Sequence, residues 1–139
     1  MIFIKTIFIC LACAMLMACK SSTSDTLACF HGGVHHTGFY ETPGIETLRG
    51  VTWSYKTGGR VFSSPVITGN ELFIGSDDGN LYALNAISGK LLWEFKTGGR
   101  VSSSPAVYDG KVYVLSFDGY IYCIEQKSGQ EIWKFRTAG

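Results

Sequence analysis

The sequence lacks a marked excess of charge of either sign. It contains 12 Lys and Arg against 11 Asp and Glu, which gives a formal net charge of +1 at pH 7. Electrostatic binding of nucleic acid depends on a basic surface that neutralises several phosphates. We therefore expect no nucleic-acid partner for this chain.

Cysteine pairs of the kind that bind zinc are also missing. No CxxC pair is joined to a second pair and no two cysteines are adjacent; the five cysteines are Cys10, Cys13, Cys19, Cys29 and Cys123. The sequence therefore predicts no structural zinc site. A disulfide between Cys29 and Cys123 is allowed outside the cytoplasm, but the spacing leaves open whether the two residues pair.

Groups that carry catalysis or bind metals are scarce. His31, His35 and His36 lie in a glycine-rich stretch without an acidic or cysteine partner at ligand spacing. Asp77-Asp78-Gly79-Asn80 has no downstream Glu that would complete a calcium loop, so we interpret it as a hairpin turn. No nucleophile motif, phosphate-binding glycine loop or pair of carboxylates stands out. We expect no catalytic, cofactor-binding or metal-binding residue.

No apolar run in the sequence is long enough to cross a bilayer as a helix. The longest run, residues 7–18, has the length of a signal-peptide core and ends in Ala18-Cys19, which resembles the bacterial lipobox. We predict a signal peptide over residues 1–18, then a lipidated Cys19 and a flexible tether over residues 19–29. A plain secretory signal and an uncleaved anchor are the alternatives.

The residue that follows the predicted lipidated cysteine is Lys20 and not Asp. In a Gram-negative lipoprotein this residue would permit export to the outer membrane. The predicted location is therefore the bacterial cell envelope, with a lipid anchor in a membrane. In a Gram-negative organism this would be the periplasmic face of the outer membrane.

The strongest signal in the sequence is an internal repeat. Trp53, Trp93 and Trp133 are the three tryptophans of the chain, and they lie 40 residues apart. Residues 53–92 and 93–132 align without gaps and share 16 identities in 40 positions, and a third copy opens at Trp133. A period of this length indicates a repeat architecture.

Each repeat unit predicts four short strands. In the first unit the turn dipeptides Gly69-Asn70, Asp78-Gly79 and Ser88-Gly89 separate runs rich in β-branched and aromatic residues. The predicted strands are Ser64–Ile67, Glu71–Ser76, Asn80–Asn85 and Lys90–Lys96. The last one alternates, with Leu91, Trp93 and Phe95 on one side. Four antiparallel strands in about forty residues are typical of a propeller blade.

The corners before two of the tryptophans resemble the PQQ-like repeat. Residues 83–93 and 123–133 follow its Ala-x-Asp-x-x-Thr-Gly-x-x-x-Trp mark, with Asn85 or Glu125 for the Asp, Ser for the Thr and Cys123 for the Ala of the second copy. The resemblance covers about residues 30–139 and implies an all-β fold of four-stranded antiparallel propeller blades. It implies a lead-in segment over residues 30–52 and repeat blades over residues 53–139, with the third copy incomplete.

About two blades would not close a propeller ring. We therefore expect missing blades or self-association to cover the open faces, and the sequence leaves open whether the end at Gly139 is a truncation. The resemblance implies that Trp53, Trp93 and Trp133 dock one blade onto the next; a stacking platform for a ligand is the alternative. Arg60 and Arg100 would lie at one rim, either as contacts for a partner or bonded to carbonyls of the neighbouring link.

The PQQ-dependent dehydrogenases of this superfamily hold PQQ over a vicinal disulfide inside a closed propeller. This chain has no vicinal cysteines, so we expect no cofactor here, and PQQ only in a complete enzyme-type propeller. The leader and the repeats together resemble the propeller lipoproteins of the outer-membrane barrel assembly machinery. The predicted function is a non-catalytic scaffold that binds envelope proteins. The alternative is the amino-terminal part of a PQQ-dependent dehydrogenase or other propeller enzyme.

Overall fold

Two four-stranded antiparallel sheets make up the fold. The computed structural model describes Thr47 and residues 50–137. Blade 1 consists of β1 (Val66–Thr68), β2 (Glu71–Gly75), β3 (Asn80–Asn85) and β4 (Leu91–Lys96). Blade 2 consists of β5 (Ala106–Tyr108), β6 (Lys111–Ser116), β7 (Tyr120–Glu125) and β8 (Glu131–Arg136). In each blade the strands follow one another in chain order, so the predicted all-β blade architecture is confirmed.

The predicted features before residue 47 lie outside the described residues. They are the signal peptide, Cys19 and its tether, Cys29, and the three histidines His31, His35 and His36. Within the part of the chain that is described, the two sheets do not close into a ring. The same part contains no helix with the length and hydropathy needed to span a membrane.

The hydrophobic core lies between the two blades. We call the side of blade 1 that meets blade 2 its forward face. The pairing register places Phe73, Ala83 and Trp93 side by side on this face, and Leu81 opposite Phe95. Phe73 and Leu81 are fully buried, and burial of each such side chain contributes about 1.5–3 kcal/mol. The ring centroids of Phe95 and Tyr122 lie 5.4 Å apart across the interface.

Blade 2 meets blade 1 through its back face, whose buried members are Val112, Val114, Tyr122 and Ile124. The opposite side of the sheet is the forward face of blade 2. It carries Tyr113, Leu115, Ile121, Trp133 and Phe135, the counterparts of the packed residues in blade 1. No described residue packs on it as a further sheet.

Residues 53–58 pack on the back face of blade 1 without joining a sheet among the described residues. The ring centroids of Tyr55 and Tyr82 lie 5.6 Å apart. By sequence this segment corresponds to residues 93–98, which are the outer strand of blade 1 and the start of the next link. Each repeat unit of the sequence therefore begins with a segment that lies behind its own blade, and in the second unit this segment is the outer strand of blade 1.

The prediction that Leu91 shares a face with Trp93 and Phe95 is wrong. Trp93 pairs with Ala83, but Leu91 pairs with Leu84, because the register shifts by one residue between them. A β-bulge of this kind places the residues on its two sides out of step, so that Leu91 and Trp93 point to opposite faces of the sheet. Leu91 accordingly lies on the other side of the sheet and is exposed.

Candidate functional site

Each link between an outer strand and the next blade is fastened to a hairpin by one aspartate. Asp78 Oδ2 accepts hydrogen bonds from the Gly58 N–H at 2.7 Å and from the Tyr82 hydroxyl at 2.8 Å. In blade 2, Asp118 Oδ2 accepts the same bonds from Gly98 and Tyr122, both at 2.7 Å. We call each of these arrangements an aspartate clasp. Its parts recur 40 residues apart, in step with the repeat.

The hydrogen bonds of the clasp favour the ionised carboxylate. Burial alone would raise the pKa of Asp78, but bonds from the Asn80 N–H, Tyr82, Ser76 and the Gly58 N–H outweigh it and hold the pKa below its usual range. Asp118 behaves in the same way. Burial, the bond to Asp118 and the charge of Asp118 raise the pKa of Tyr122 to about 12. At neutral pH the aspartates are therefore ionised and the tyrosines protonated.

The second glycine of each Thr-Gly-Gly link has no room for a side chain. A Cβ on Gly59 would lie 2.5 Å from the backbone nitrogen of Asp78, and a Cβ on Gly99 would lie 2.5 Å from that of Asp118. From the sequence, Asp78 is predicted only as a turn residue, and the clasp is not predicted. The signal for it was present, because Gly58, Asp78 and Tyr82 are all identical in the second repeat unit.

The structure places two of the three tryptophans between successive units. Trp53 Nε1 donates to the Ala86 carbonyl at 3.0 Å, and Trp93 Nε1 donates to the Gln126 carbonyl at 2.9 Å. Each indole covers the glycine of a Ser-Gly corner so closely that a Cβ would lie within 2.6 Å of the ring. Trp133 stays on the surface at 42 % exposure, and its nearest aromatic neighbour is Tyr113 in its own blade.

Arg60 and Arg100 occupy equivalent positions in the two links. Their carbonyls accept hydrogen bonds from the N–H groups of Asp77 at 2.8 Å and Phe117 at 2.9 Å. The guanidinium groups themselves project outward, and within residues 50–137 neither is bonded to a carbonyl. Arg60 lies 5.3 Å from the ring centroid of Phe62, and Arg100 lies 4.7 Å from that of Phe117. Both aromatic rings are exposed.

A cleft of about 260 Å³ opens beside Arg100, between the β2–β3 hairpin and the following link. It is lined by Asp77, Asp78, Gly79, Lys96, Thr97, Gly98, Gly99 and Arg100. The Lys96 ammonium group donates a hydrogen bond to the Asp78 carbonyl. A guanidinium group that lies over an aromatic ring can still donate hydrogen bonds from its edge to an anionic group.

Of the cysteines left free if Cys19 is lipidated, only Cys123 lies within the described residues. Cys123 is fully buried, and burial raises the pKa of its thiol. Its candidate partner Cys29 lies outside the described residues. Among residues 47 and 50–137, no three His, Cys, Asp or Glu side chains come together in a way that could hold a metal ion.

The chain matches, over residues 42–139, the protein family described as outer membrane protein assembly factor BamB. Among solved structures, BamB from Moraxella catarrhalis matches at 24 % identity and a TM-score of 0.59, over 64 % of this chain and 28 % of that chain. At this identity the likeness shows the fold alone. No curated protein matches the chain.

Two quinohemoprotein alcohol dehydrogenases are similar as well. ADHIIG from Pseudomonas putida HK5 matches at 29 % identity and a TM-score of 0.61, over 65 % of this chain and 15 % of that chain. The enzyme from Comamonas testosteroni matches at 23 % identity and a TM-score of 0.58, over 63 % of this chain and 15 % of that chain. The chain thus spans well under a third of the length of each solved relative.

Proposed function

Because this chain belongs to the family of the outer membrane protein assembly factor BamB, we propose that it is a non-catalytic scaffold that binds proteins of the bacterial cell envelope. The observation that carries the proposal is the two exposed contacts between a link arginine and a phenylalanine: Arg60 with Phe62 of the same link, and Arg100 with Phe117 of the β6–β7 hairpin. Arginine and aromatic residues are enriched in protein interfaces, where they contribute much of the binding energy.

Trp53 and Trp93 serve in this proposal as docking residues that join one unit to the next. Their indole nitrogens and rings each contact the corner of the following blade. Trp133 shares with Trp93 the preceding Ser-Gly corner and the Phe two residues later, so it would dock a further blade or a second copy of the chain. The exposed forward face of blade 2 supports this role.

Membrane attachment through lipidated Cys19 is a further part of the proposal, with the outer membrane as the location. It is supported by the leader sequence and by the family membership. A Cys19→Ala variant expressed with labelled palmitate tests the anchor. We expect no label and release of the protein from membranes; retained label and membrane association would refute the lipid anchor.

Photo-crosslinking in cells that express the full chain tests the scaffold function. A crosslinking residue at Phe117 reports on the link end of the blades, and one at Ile87 on the opposite end; the two side chains are equally accessible, at 67 % and 66 %. We expect position 117 to give discrete adducts with envelope proteins and position 87 to give none. Equal adduct patterns, or no adducts at either position, would contradict the proposal.

The second candidate is a part of a propeller enzyme that uses PQQ. It is favoured by the 29 % identity with the quinohemoprotein alcohol dehydrogenase of Pseudomonas putida HK5. Dialysis of the full chain with PQQ and calcium, followed by visible absorbance of the retained protein, distinguishes the two. We expect no retained chromophore, and a stoichiometric one would favour the enzyme.

A further inference from the structure

The two link arginines differ in their access to a carboxylate. Arg60 Nε lies 3.6 Å from Asp77 Oδ2, and the same carboxylate accepts a hydrogen bond from the Ser102 hydroxyl at 2.9 Å. The position equivalent to Asp77 in the second unit is Phe117. Among residues 50–137, no ion pair includes Arg100. The hairpin of blade 1 therefore supplies a carboxylate beside Arg60, whereas the hairpin of blade 2 supplies an aromatic ring beside Arg100.

The residues around Arg100 leave its guanidinium group able to bind an anion from another molecule. Its guanidinium lies over the Phe117 ring at 4.7 Å, which leaves the edge of the guanidinium plane free to donate two parallel hydrogen bonds. Lys96 adds a second cation at the wall of the adjoining cleft. The two carboxylates there are already engaged, Asp77 by Arg60 and Ser102, and Asp78 within its clasp. Neither Arg100 nor Lys96, the two cations that line the cleft, is paired with a carboxylate within residues 50–137.

We propose that Arg100, Lys96 and Phe117 form a docking site for the carboxylate of an Asp or Glu in an extended segment of a partner protein. The carboxylate takes the place beside Arg100 that Asp77 takes beside Arg60. An apolar residue next to it in the partner packs on the Phe117 ring, which is otherwise left in water. This site rests on the proposed scaffold function, because it names the chemistry of the protein that the scaffold binds.

The probe for this site is the capped dipeptide acetyl-Glu-Phe-amide, with acetyl-Gln-Phe-amide as the matched neutral control. Titration into the ¹⁵N-labelled full chain in detergent should shift the Arg100 Nε–H resonance and saturate. We expect the Gln peptide, and the Arg100→Gln variant with the Glu peptide, to bind at least about tenfold more weakly, since each removes one partner of a bidentate ion pair. Binding of the Glu peptide should also weaken with added salt.

Two substitutions test the assignment from the other side. Phe117→Asp supplies a carboxylate beside Arg100 from within the chain and should abolish binding of the Glu peptide. Phe117→Asn introduces a neutral side chain of the same size as Asp, so this variant should retain charge-dependent binding. Asp77→Asn keeps an acceptor for Ser102 but removes the counterion of Arg60, so it should add a second binding event. Equal binding of both peptides, or unchanged binding in Phe117→Asp, would overturn the proposal.

The outcome can be separated from that of the scaffold experiment. Crosslinks from position 117 to envelope proteins, combined with failure of the Glu peptide to bind, would refute the carboxylate site and leave the scaffold function standing. Charge-dependent peptide binding without any crosslinked envelope protein would support the site and contradict the scaffold function.

Discussion

The forward faces of the two blades carry similar side chains in very different surroundings. In blade 1, Phe73 and Leu81 are fully buried and Trp93 is packed against the core. In blade 2, the counterparts of Phe73 and Leu81 are Tyr113 and Ile121, which are only partly buried, and the counterpart of Trp93 is Trp133, which is 42 % exposed. Burial of these side chains is therefore decided by the neighbouring unit and not by the residue type, so the interface between units contributes to the stability of the repeat.

The two forward faces also differ in shape at one position. A Cβ on Gly75 would lie 2.5 Å from the Val101 carbonyl oxygen, so the link before blade 2 approaches the backbone of blade 1 directly. The equivalent residue of blade 2 is Leu115. A neighbour on the forward face of blade 2 must leave room for this side chain. The next interface cannot be an unchanged copy of the first.

Replacement of the docking tryptophans gives the largest expected difference between the two faces. Trp93→Ala removes a ring that covers Gly129 and a hydrogen bond to the Gln126 carbonyl, so we expect a loss of about 3 kcal/mol in the free energy of unfolding. Trp133→Ala should cost less than about 1 kcal/mol. Urea unfolding of the full chain, followed by circular dichroism, measures both, and equal losses would contradict the comparison.

A matched pair of glycines isolates the effect of the neighbouring link. Gly79 and Gly119 occupy the same turn with φ of 87° and 86°, so alanine pays the same backbone strain of about 1 kcal/mol at both. Only at Gly79 would the Cβ meet another unit, 2.8 Å from the Gly99 carbonyl oxygen. We expect Gly79→Ala to destabilise by about 1–3 kcal/mol more than Gly119→Ala. If the two variants lose equal free energy of unfolding within error, the link at Gly99 moves aside without cost and the prediction is wrong.

Because of the aspartate clasps, the free energy of unfolding should decrease at acidic pH. Because hydrogen bonds lower the folded-state pKa of Asp118, its contribution to stability is present above the unfolded value of about 3.9 and is lost as the pH falls through the folded pKa. Asp118→Asn should flatten this loss and cost about 1 kcal/mol at neutral pH. Asp78→Asn should act mainly by releasing Gly58, visible as faster amide exchange there. A variant with an unchanged acid limb would contradict the clasp.

The alkaline limb gives the smallest expected effect. The folded-state pKa of Tyr122 is about 12, against an unfolded value of about 10. Its contribution is therefore fully present below about pH 10 and is lost as the pH rises towards the folded pKa. Tyr122→Phe should remove this dependence, and Tyr82→Phe should do the same for blade 1 because that pKa is also raised. Urea midpoints between pH 9 and pH 12 measure it, and an unaltered slope in both variants would refute the prediction.

The strands and turns could be predicted because each rests on local sequence. The predicted strand Asn80–Asn85 agrees with β3 in both bounds, and Glu71–Ser76 differs from β2 by one residue at its end. The clasp could not be derived in the same way. Asp78 already has a local explanation as a turn residue, while its partner Gly58 lies 20 residues earlier, across a contact that exists only after two units have packed.

The side of the sheet on which Leu91 lies and the pairing of Arg60 with Asp77 also depend on contacts between residues that are distant in sequence. A bulge in the pairing of β3 with β4 decides the side of Leu91, and no propensity in its own segment encodes that shift. Asp77 and Phe117 occupy the same position in the hairpins of the two units, so the sequence showed the substitution without showing that an arginine lay beside it.

The short reach of the contacts between units has a kinetic consequence. The Gly58 to Asp78 bond closes a separation of 20 residues, the Trp53 to Ala86 bond one of 33, and the Lys127 to Glu71 bond one of 56. Loop closure over such distances is fast compared with the pairing of distant chain ends. A blade can form on its own hairpins and then act as the template on which the next one condenses, so that order propagates from one blade to the next along the chain.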